Sequence, residues 1–298
     1  MKLDFESQYN HLQTKGVTFK WHDKDSVKNY LINKNSYFRL KSYCKNYDKK
    51  SDDTYINLDF CYLKDMADID RQFRNICLKM VIHLEHLIKQ KLIKDITLNP
   101  FEDGYSIVSE FLSSNTNVIS SIKKKQSQSV CNELISKYEH SFSIWTISEL
   151  LSFGELISLY TFYYNKYPST DNYSRIMHHI KFLRNAVAHN NCLLNSLKKP
   201  YSIPGFRFSS EISTFISSNG MTTTRRRKII ENPVLHDFIT MLYVFYKINP
   251  ETVKSQEYIQ QVKKIFNDQI HQNSTFIDSN PIIRARFQAL IEIFDYFV

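Results

Sequence analysis

Apolar residues recur at steps of three and four from Asp59 to about Ile96, and this stripe constrains the fold more than any other sequence feature. Its positions are Ile69, Phe73, Ile76, Cys77, Met80, Val81, Leu84, Leu87, Ile88 and Leu92. A step of three to four is the period of an α-helix, whereas a half-buried strand alternates every second residue. The sequence therefore predicts one long helix with a buried face.

Glycine and proline are scarce, with 5 Gly and 7 Pro in 298 residues. An all-β domain needs a turn about every ten residues, so the scarcity favours long helices and an all-α fold. Further helices are predicted from about Ser143 to Tyr167 with an interruption at Gly154, from an N-cap at Asp171 to the region of His189, from Pro233 to Tyr246, from about Val253 to Ile270, and from Pro281 to Phe297.

Two stretches lack helical periodicity. The polar stretch Ser113–Ser129 predicts a loop or short irregular helices. The stretch Asn190–Arg227 predicts a long exposed connection, and a short hairpin near Phe206–Phe215 is one way of folding part of it.

The formal net charge of +9 favours an acidic partner such as nucleic acid. A compositionally biased genome would also enrich Lys, Asn, Ile and Tyr, so the charge has a second explanation.

The N-terminus lacks an apolar region, and the most apolar later run, Phe238–Tyr246, is far too short for a membrane span. We expect a cytoplasmic protein without membrane contact.

Cysteine usage argues against a disulfide framework and against a zinc knuckle. The chain has an odd number of cysteines at wide spacing and no CxxC, so we expect reduced, buried thiols. The positions are Cys44, Cys61, Cys77, Cys131 and Cys192. His83, Glu85 and His86 lack a further ligand at useful spacing, so no metal and no cofactor is predicted.

The candidate catalytic residues lie in the segment RNAVAH, which runs from Arg184 to His189. Cleavage of RNA through the ribose 2′-OH needs a group of near-neutral pKa and a fixed cation near the phosphate, which His and Arg supply. At about 100° per helical residue, Asn185 and His189 share a face, whereas Arg184 and His189 diverge by about 140°. Either Arg184 reaches around the helix, or the helix loosens near Asn190–Asn191, or a second copy of the chain completes the site, which we favour.

An Arg and a His at this spacing also occur by chance. The alternative is an Arg184 in a surface salt bridge and a His189 that bonds a carbonyl at the helix C-terminus. The same choice applies to Glu85 and Glu149, which either pair with Arg184, Arg39 or Arg74 or face water. Trp145 and Phe153 fit a core better than a base-stacking surface, and a surface position is the default for His178 and His179.

Three blocks of sequence add to the RNAVAH segment. They are the run Asn35–Tyr43 (NSYFRLKSY), the run Asp70–Arg74 (DRQFR) with His83–Glu85 (HLE), and the run Trp145–Leu156 (WTISELLSFGEL) that is followed by Leu183–His189 (LRNAVAH). In this order and spacing, residues 30 to 195 resemble the Abi-like family of abortive-infection proteins, within the HEPN superfamily of RNA-binding and RNA-cleaving proteins.

The resemblance implies an all-α, HEPN-like helical bundle with additional N- and C-terminal helices. It also implies a composite, metal-independent endoribonuclease site built by a homodimer, with Arg184 stabilising the phosphorane, His189 as general acid/base and Asn185 orienting His189 or the phosphate. RNA is the implied partner, as substrate and as a candidate regulatory non-coding RNA, and any antitoxin stays unidentified. The family's usual H-x-R-L-W-N is replaced here by His189 and the run Asn190–Asn195 (NNCLLN), which lacks the basic residue and the aromatic.

The predicted organisation is an N-terminal helical extension (1–58), an HEPN-like core (59–198), and an exposed loop with C-terminal helices packed on the core (199–298). Candidate RNA contacts are Arg39, Lys181, Asn190, Arg225, Arg226, Arg227 and Lys228, with Lys123–Lys125 as a further run. Solvated charge runs are commoner than RNA contacts. Two functions remain open, an RNA-cleaving defence protein or toxin and a non-catalytic module that binds RNA or protein.

Overall fold

Helices make up nearly all the regular structure of the protein in its computed structural model, which describes residues 3–126, 130–198, 200, 203–249, 252–272 and 280–297. Within these ranges the chain has no strand, only isolated bridges at Thr18–Asp59 and Lys49–Tyr55, so the predicted all-α class is confirmed. The α-helices are α1 (Phe5–Thr14), α2 (Lys24–Asn33), α3 (Tyr37–Ser42), α4 (Phe60–Leu98), α5 (Ser106–Ser114), α6 (Thr116–Gln126), α7 (Asn132–Tyr138), α8 (Ile144–Leu150), α9 (Phe153–Lys166), α10 (Met177–Ala188), α11 (Ser210–Ser218), α12 (Thr223–Ile230), α13 (Pro233–Ile248), α14 (Thr252–Gln272) and α15 (Pro281–Phe294), with 3-10 turns at Tyr43–Asn46 and Asp295–Phe297.

The long predicted helix is α4, which has 39 residues. It starts where the Asp59 side chain accepts a hydrogen bond from the amide of Cys61 at 2.9 Å. Its apolar stripe faces α10, α13 and α14, and the ring of Phe73 lies 4.8 Å from Phe238 of α13 and 5.5 Å from Phe266 of α14. The helix α4 is therefore the support against which the RNAVAH helix packs.

The C-terminal helices begin where the sequence predicted. Asn232 caps α13 by accepting from the amides of Val234 and Leu235, and Pro233 occupies the first turn. Asn280 caps α15 in the same way. Buried side chains from Leu12 to Phe297 form one hydrophobic cluster, while the division at residues 58 and 198 stays a prediction.

The expected long connection from Asn190 to Arg227 is wrong, and so is the hairpin near Phe206–Phe215. This stretch contains α11 and α12 instead. Ser209 caps α11, and Ile212 and Ile216 are buried at helical spacing. The helices are short and carry Ser and Thr on their exposed faces, which hid the period in the sequence.

Other helix boundaries differ from the prediction. The break in the 143–167 run falls at Leu151–Ser152 and not at Gly154, because Ser152 caps α9 in a capping box with Glu155. Asp171 does not cap a helix; it accepts from Lys91 at 2.6 Å. Within Ser113–Ser129 the structure places the end of α5 and all of α6, which agrees with short helices, and residues 127–129 lie outside the described ranges.

None of the five cysteines, all of which lie in the described ranges, forms a disulfide, but Cys61, Cys131 and Cys192 are only partly buried, so the expectation of burial is met by Cys44 and Cys77 alone. None of the helices in the described ranges is both long enough and apolar enough to cross a membrane.

Candidate functional site

The RNAVAH segment forms the last turns of α10, and His189 is the residue at which the helix ends. The amide of Asn190 donates to the carbonyl of Val187 at 3.1 Å, and the amide of Asn191 donates to that of Ala186 at 2.9 Å. Asn190 has a φ of 57°, the left-handed conformation that this type of helix ending requires. The helix is therefore regular up to His189, whose imidazole is exposed at a sharply defined end.

Arg184 is half-buried and directed toward α4. Its Nε lies 3.7 Å from Oε2 of Glu85, and its Nη1 donates to Oδ1 of Asn185 at 3.5 Å. Glu85 thus takes the pairing role that the sequence left open, whereas Glu149 is exposed and pairs with Lys89. The His189 amide donates to the Asn185 carbonyl at 2.9 Å, but among the described residues no side-chain hydrogen bond joins His189 to Arg184 or to Asn185. The side chains of Arg184 and Asn185 therefore meet, and the imidazole of His189 bonds to neither of them.

A buried carboxylate holds the chain that follows His189. Oδ1 of Asp70 accepts from the amides of Leu193 at 2.8 Å and Leu194 at 2.7 Å. Oδ2 accepts from Nη1 of Arg74 at 2.6 Å and from the hydroxyl of Tyr43 at 2.9 Å. Burial raises the pKa of Asp70, and the four donors oppose that rise. The DRQFR block is therefore an anchor for the exit of α10.

Three buried asparagines continue this anchor. Asn46 donates to the carbonyl of Leu194 at 2.8 Å and accepts from the amide of Leu197 at 2.8 Å. Asn232 donates to the carbonyl of Ser196, and Asn280 donates to that of Asn46, both at 2.9 Å. These bonds satisfy the backbone groups of a buried, non-helical segment, which would otherwise be costly. The end of α10 is consequently fixed from three directions.

Lys181 lies one turn before Arg184 and crosses the first turn of α9. A Cβ built on Gly154 would stand 3.0 Å from both Cε and Nζ of Lys181. Glycine at this position of the SFG block therefore makes room for the lysine side chain beside the candidate site.

Arg39 lies away from Arg184, in a cavity of about 780 Å³ between the N-terminal helices and α4. Further cations of this cavity are Lys34, Lys64, Arg71 and Arg74. Arg74 also contacts the carbonyl of Asn191 at 3.5 Å, so the cavity adjoins the end of α10. We call this cavity, with its five cations, the basic cavity; of the five, only Arg39 was predicted from the sequence as an RNA contact.

The run Arg225–Lys228 lies on α12 and not in a loop, as had been expected. Arg225 pairs with Glu292 at 2.5 Å, and Arg227 lies 3.9 Å from Glu231. Helix α12 packs against α11, α13 and α15, whereas the RNAVAH residues belong to α10. In the other run, Lys125 donates to the carbonyl of Leu150 at 2.7 Å and caps the end of α8.

The aromatic side chains of the WTISELLSFGEL block behave differently from each other. Phe153 is buried, as expected of a core residue. Trp145 is 46% exposed and covers Gly104, where a Cβ would lie 2.8 Å from its ring. Phe153 is therefore a core residue as predicted, whereas Trp145 is only partly buried.

A buried cluster that was not predicted from the sequence is formed by His179, His236 and Asp237. His179 Nδ1 lies 2.8 Å from Oδ1 of Asp237, and His236 Nδ1 lies 3.2 Å from the same oxygen. The expected surface position is right for His178 and wrong for His179, which is 3% exposed. A polar His-Asp pair inside the apolar helix α13 was the available signal, because buried polar residues need partners.

The protonation of this cluster follows from its donors. Nε2 of His236 accepts the amide hydrogen of Ser209 at 2.9 Å, so its proton resides on Nδ1, which donates to Asp237. Burial lowers the pKa of His236, which keeps the ring neutral. Two histidines and a carboxylate are a donor set that zinc or iron can use, and the donor atoms lie within 4.8 Å of one another. A metal on Nδ1 would, however, require a proton on Nε2 that collides with the Ser209 amide, so the residues as placed fit a hydrogen-bonded relay better than a metal site.

Comparison with known proteins finds a match to one protein family. The family model described as Abi-like protein matches residues 30–195, which is more than half of the chain. No curated protein and no solved structure matches the chain significantly. The matched range begins before the NSYFRLKSY block and ends just after His189.

Proposed function

From the premise that the chain belongs to the Abi-like family, we propose that this abortive-infection-related protein is a metal-independent endoribonuclease of the HEPN type. In this mechanism His189 moves protons between the ribose 2′-OH and the leaving oxygen, and Arg184 stabilises the charge that develops on the phosphorane. Asn185 keeps the guanidinium of Arg184 in place.

The observation that carries the proposal is the exposed imidazole of His189 at a rigid helix end. General acid/base catalysis needs a titratable group that is open to substrate and held in a narrow range of positions. The bonds from Asp70 and Asn46 to the chain after His189 supply that rigidity.

The basic cavity supports RNA as the substrate. Its cations lie next to the end of α10 through the contact of Arg74 with Asn191, and phosphate contacts dominate the affinity of nucleic-acid binding. Two of the five cations are paired, Arg71 with Asp68 at 3.2 Å and Arg74 with Asp70 at 2.6 Å. Lys34, Arg39 and Lys64 form no ion pair with the described residues, so their positive charge is open to a phosphate. The phosphates of an RNA strand that extends from His189 toward the basic cavity would lie close to these positive charges.

The direction of Arg184 supports the proposal of a homodimer. Its side chain is directed to Glu85, while a residue five positions on points about 140° away. A second copy related by a two-fold axis would place its His189 opposite the Arg184 of the first chain. By symmetry the dimer would then hold two such centres, each built from the Arg184 of one chain and the His189 of the other. We propose this arrangement for the active form.

The direct experiment measures cleavage of a mixed RNA population with a chelator present. Arg184→Ala and His189→Ala are expected to lose most product, by about a hundredfold or more for the histidine. His140→Ala is the matched control, because His140 is 94% exposed and lies outside the site. Equal activity of the wild type and both site variants would remove the proposed centre.

A mixing experiment tests the shared centre. In a heterodimer of Arg184→Ala with His189→Ala, one composite site loses both groups while the other keeps an intact Arg and an intact His. Free exchange of subunits should therefore restore about a quarter of wild-type activity. Two inactive variants that stay inactive when mixed, or a strict monomer by light scattering with RNA bound, would contradict the dimer.

The binding module remains a second candidate because of the residues after His189. Asn190 and Asn191 replace the family's usual basic segment, and the backbone that follows is engaged by the buried anchor. This candidate predicts salt-sensitive RNA affinity without any cleaved product.

A further inference from the structure

A cavity of about 760 Å³ opens along α10, beside the residues proposed to cleave RNA. It lies between α10, the segment 203–211 and the first turn of α13. Its exposed walls are mostly apolar, and its polar side chains are Arg175, His178, His179, Arg207, Ser209, Ser210, Glu211 and Asp237. Size and lining are those of a small-molecule site, in which a few placed polar groups orient a ligand.

Two aromatic rings border the cavity. Phe182 on α10 is 59% exposed, so it contributes little to the core. Phe206 follows a tight turn in which its amide donates to the carbonyl of Ile203 at 3.0 Å and Gly205 has a φ of 79°. Pro204 and Gly205 are the residues that a type II turn selects, so this turn sets the position of Phe206. The cavity thus offers planar apolar surfaces to a flat ligand.

The polar groups of the cavity are of two kinds. Nδ1 of His179 donates a hydrogen bond to the Asp237 carboxylate at 2.8 Å, and in the tautomer with its proton on Nδ1 the other ring nitrogen, Nε2, is an acceptor. His236 also donates to Asp237 and accepts from the amide of Ser209, and these bonds hold the carboxylate that orients the His179 ring. Arg175 and Arg207 are exposed and supply two positive charges at the rim, against the one exposed carboxylate of the lining, Glu211. A complementary ligand is planar, presents an N–H donor on its edge and carries an anionic group.

We propose that this cavity binds one unpaired nucleobase of the RNA substrate, with the attached phosphate at Arg207 or Arg175. The base stacks on Phe182, and an amino or imino group of its edge donates to His179. The assignment rests on the proposed RNA cleavage for its biological role, while nucleotide binding itself does not require cleavage.

The position of the cavity suits a base close to the scissile phosphate. Phe182 and His189 lie within about 20° of each other around α10 and about 10 Å apart along its axis. Ala186, which lines the cavity, is one turn from His189. The cavity would therefore select which nucleotide stands beside the cleaved bond.

The test is binding of the four nucleoside 5′-monophosphates to the wild-type protein, measured by saturation-transfer NMR, with ribose 5-phosphate as the probe without a base. These probes contain no phosphodiester to cleave. At least one nucleotide should bind and receive saturation at its base protons, and ribose 5-phosphate should bind at least fivefold more weakly.

Variants of cavity residues distinguish nucleotide binding in the cavity from binding elsewhere on the surface. Phe182→Ala should lower the affinity about fivefold or more, and Arg207→Ala should lower it and reduce its dependence on salt. Both side chains are exposed, so the fold should survive. Phe101→Ala is the matched control, since Phe101 is 81% exposed and does not line the cavity.

Nucleotides that bind no better than ribose 5-phosphate, or that bind Phe182→Ala as tightly as the wild type, would overturn the proposal. Its failure is distinguishable from that of the proposed function. If nucleotides bind but RNA is not cleaved, the proposed endoribonuclease activity is refuted and the base site is not. If RNA is cleaved in a reaction that needs His189 but no nucleotide binds, the base site is refuted and the endoribonuclease activity is not.

Discussion

Replacing Asp70 by asparagine should destabilise the protein severely, because four hydrogen-bond donors converge on this carboxylate. They are the amides of Leu193 and Leu194, the hydroxyl of Tyr43 and the guanidinium of Arg74. An asparagine has a single acceptor oxygen, and its NH₂ group adds donors. Tyr43 can turn its hydroxyl to accept, but Arg74 cannot accept a hydrogen bond.

The magnitude follows from the burial of the pair. Asp70 is fully buried and Arg74 is 6% exposed, so the arginine would keep its charge without a counter-ion. Removing one partner of a buried ion pair costs about 3–5 kcal/mol. A domain's entire free energy of unfolding is about 5–15 kcal/mol. Asp70→Asn should therefore remove a large share of it and release the chain that follows His189.

The assay is urea unfolding, with Asp68→Asn as the matched control. Asp68 also lies on α4 and pairs with an arginine, Arg71, at 3.2 Å, but both side chains are exposed. The control should lose less than about 1 kcal/mol. Asp70→Ala, which removes every acceptor, should also abolish the hydrogen-exchange protection of the Leu193 and Leu194 amides. If Asp70→Asn lost no more stability than Asp68→Asn, the anchoring role would be refuted.

Three further changes test separate features. Gly154→Ala should raise the free energy of unfolding by up to about 1 kcal/mol in thermal unfolding, because the flexible end of Lys181 can move aside; a clear loss would show that Lys181 is held in place. Asn190→Ala should lower the free energy of unfolding, measured with urea, by about 1 kcal/mol, whereas Asn190→Gly should leave it unchanged, because the φ of 57° at this position suits glycine. Equal free energies of unfolding for the two variants would contradict this. Burial lowers the pKa of His236, so the folded protein binds fewer protons than the unfolded chain, and stability should fall as the pH drops below about 6.5. His236→Gln should flatten that part of the profile, and an unchanged slope would exclude His236 as its source.

Local sequence determined the helices and the end of the candidate site. The stripe of α4 was readable because its period holds over ten turns, and the cap of α13 was readable from Asn232 and Pro233. The short helices α11 and α12 were missed because few buried positions mark their period. Helix geometry also predicts that Arg184 and His189 diverge by about 140° around α10.

Tertiary structure alone decided which side chains meet. Asp70 binds the amides of residues 123 and 124 positions later, and His179 meets Asp237 across 58 positions. No local pattern encodes such pairs, because they arise when separate helices pack and each buried polar group must find a partner. The RNAVAH segment was therefore visible in the sequence, whereas its rigid support, the partner of Arg184 and the cavity beside Phe182 became visible only in the folded chain.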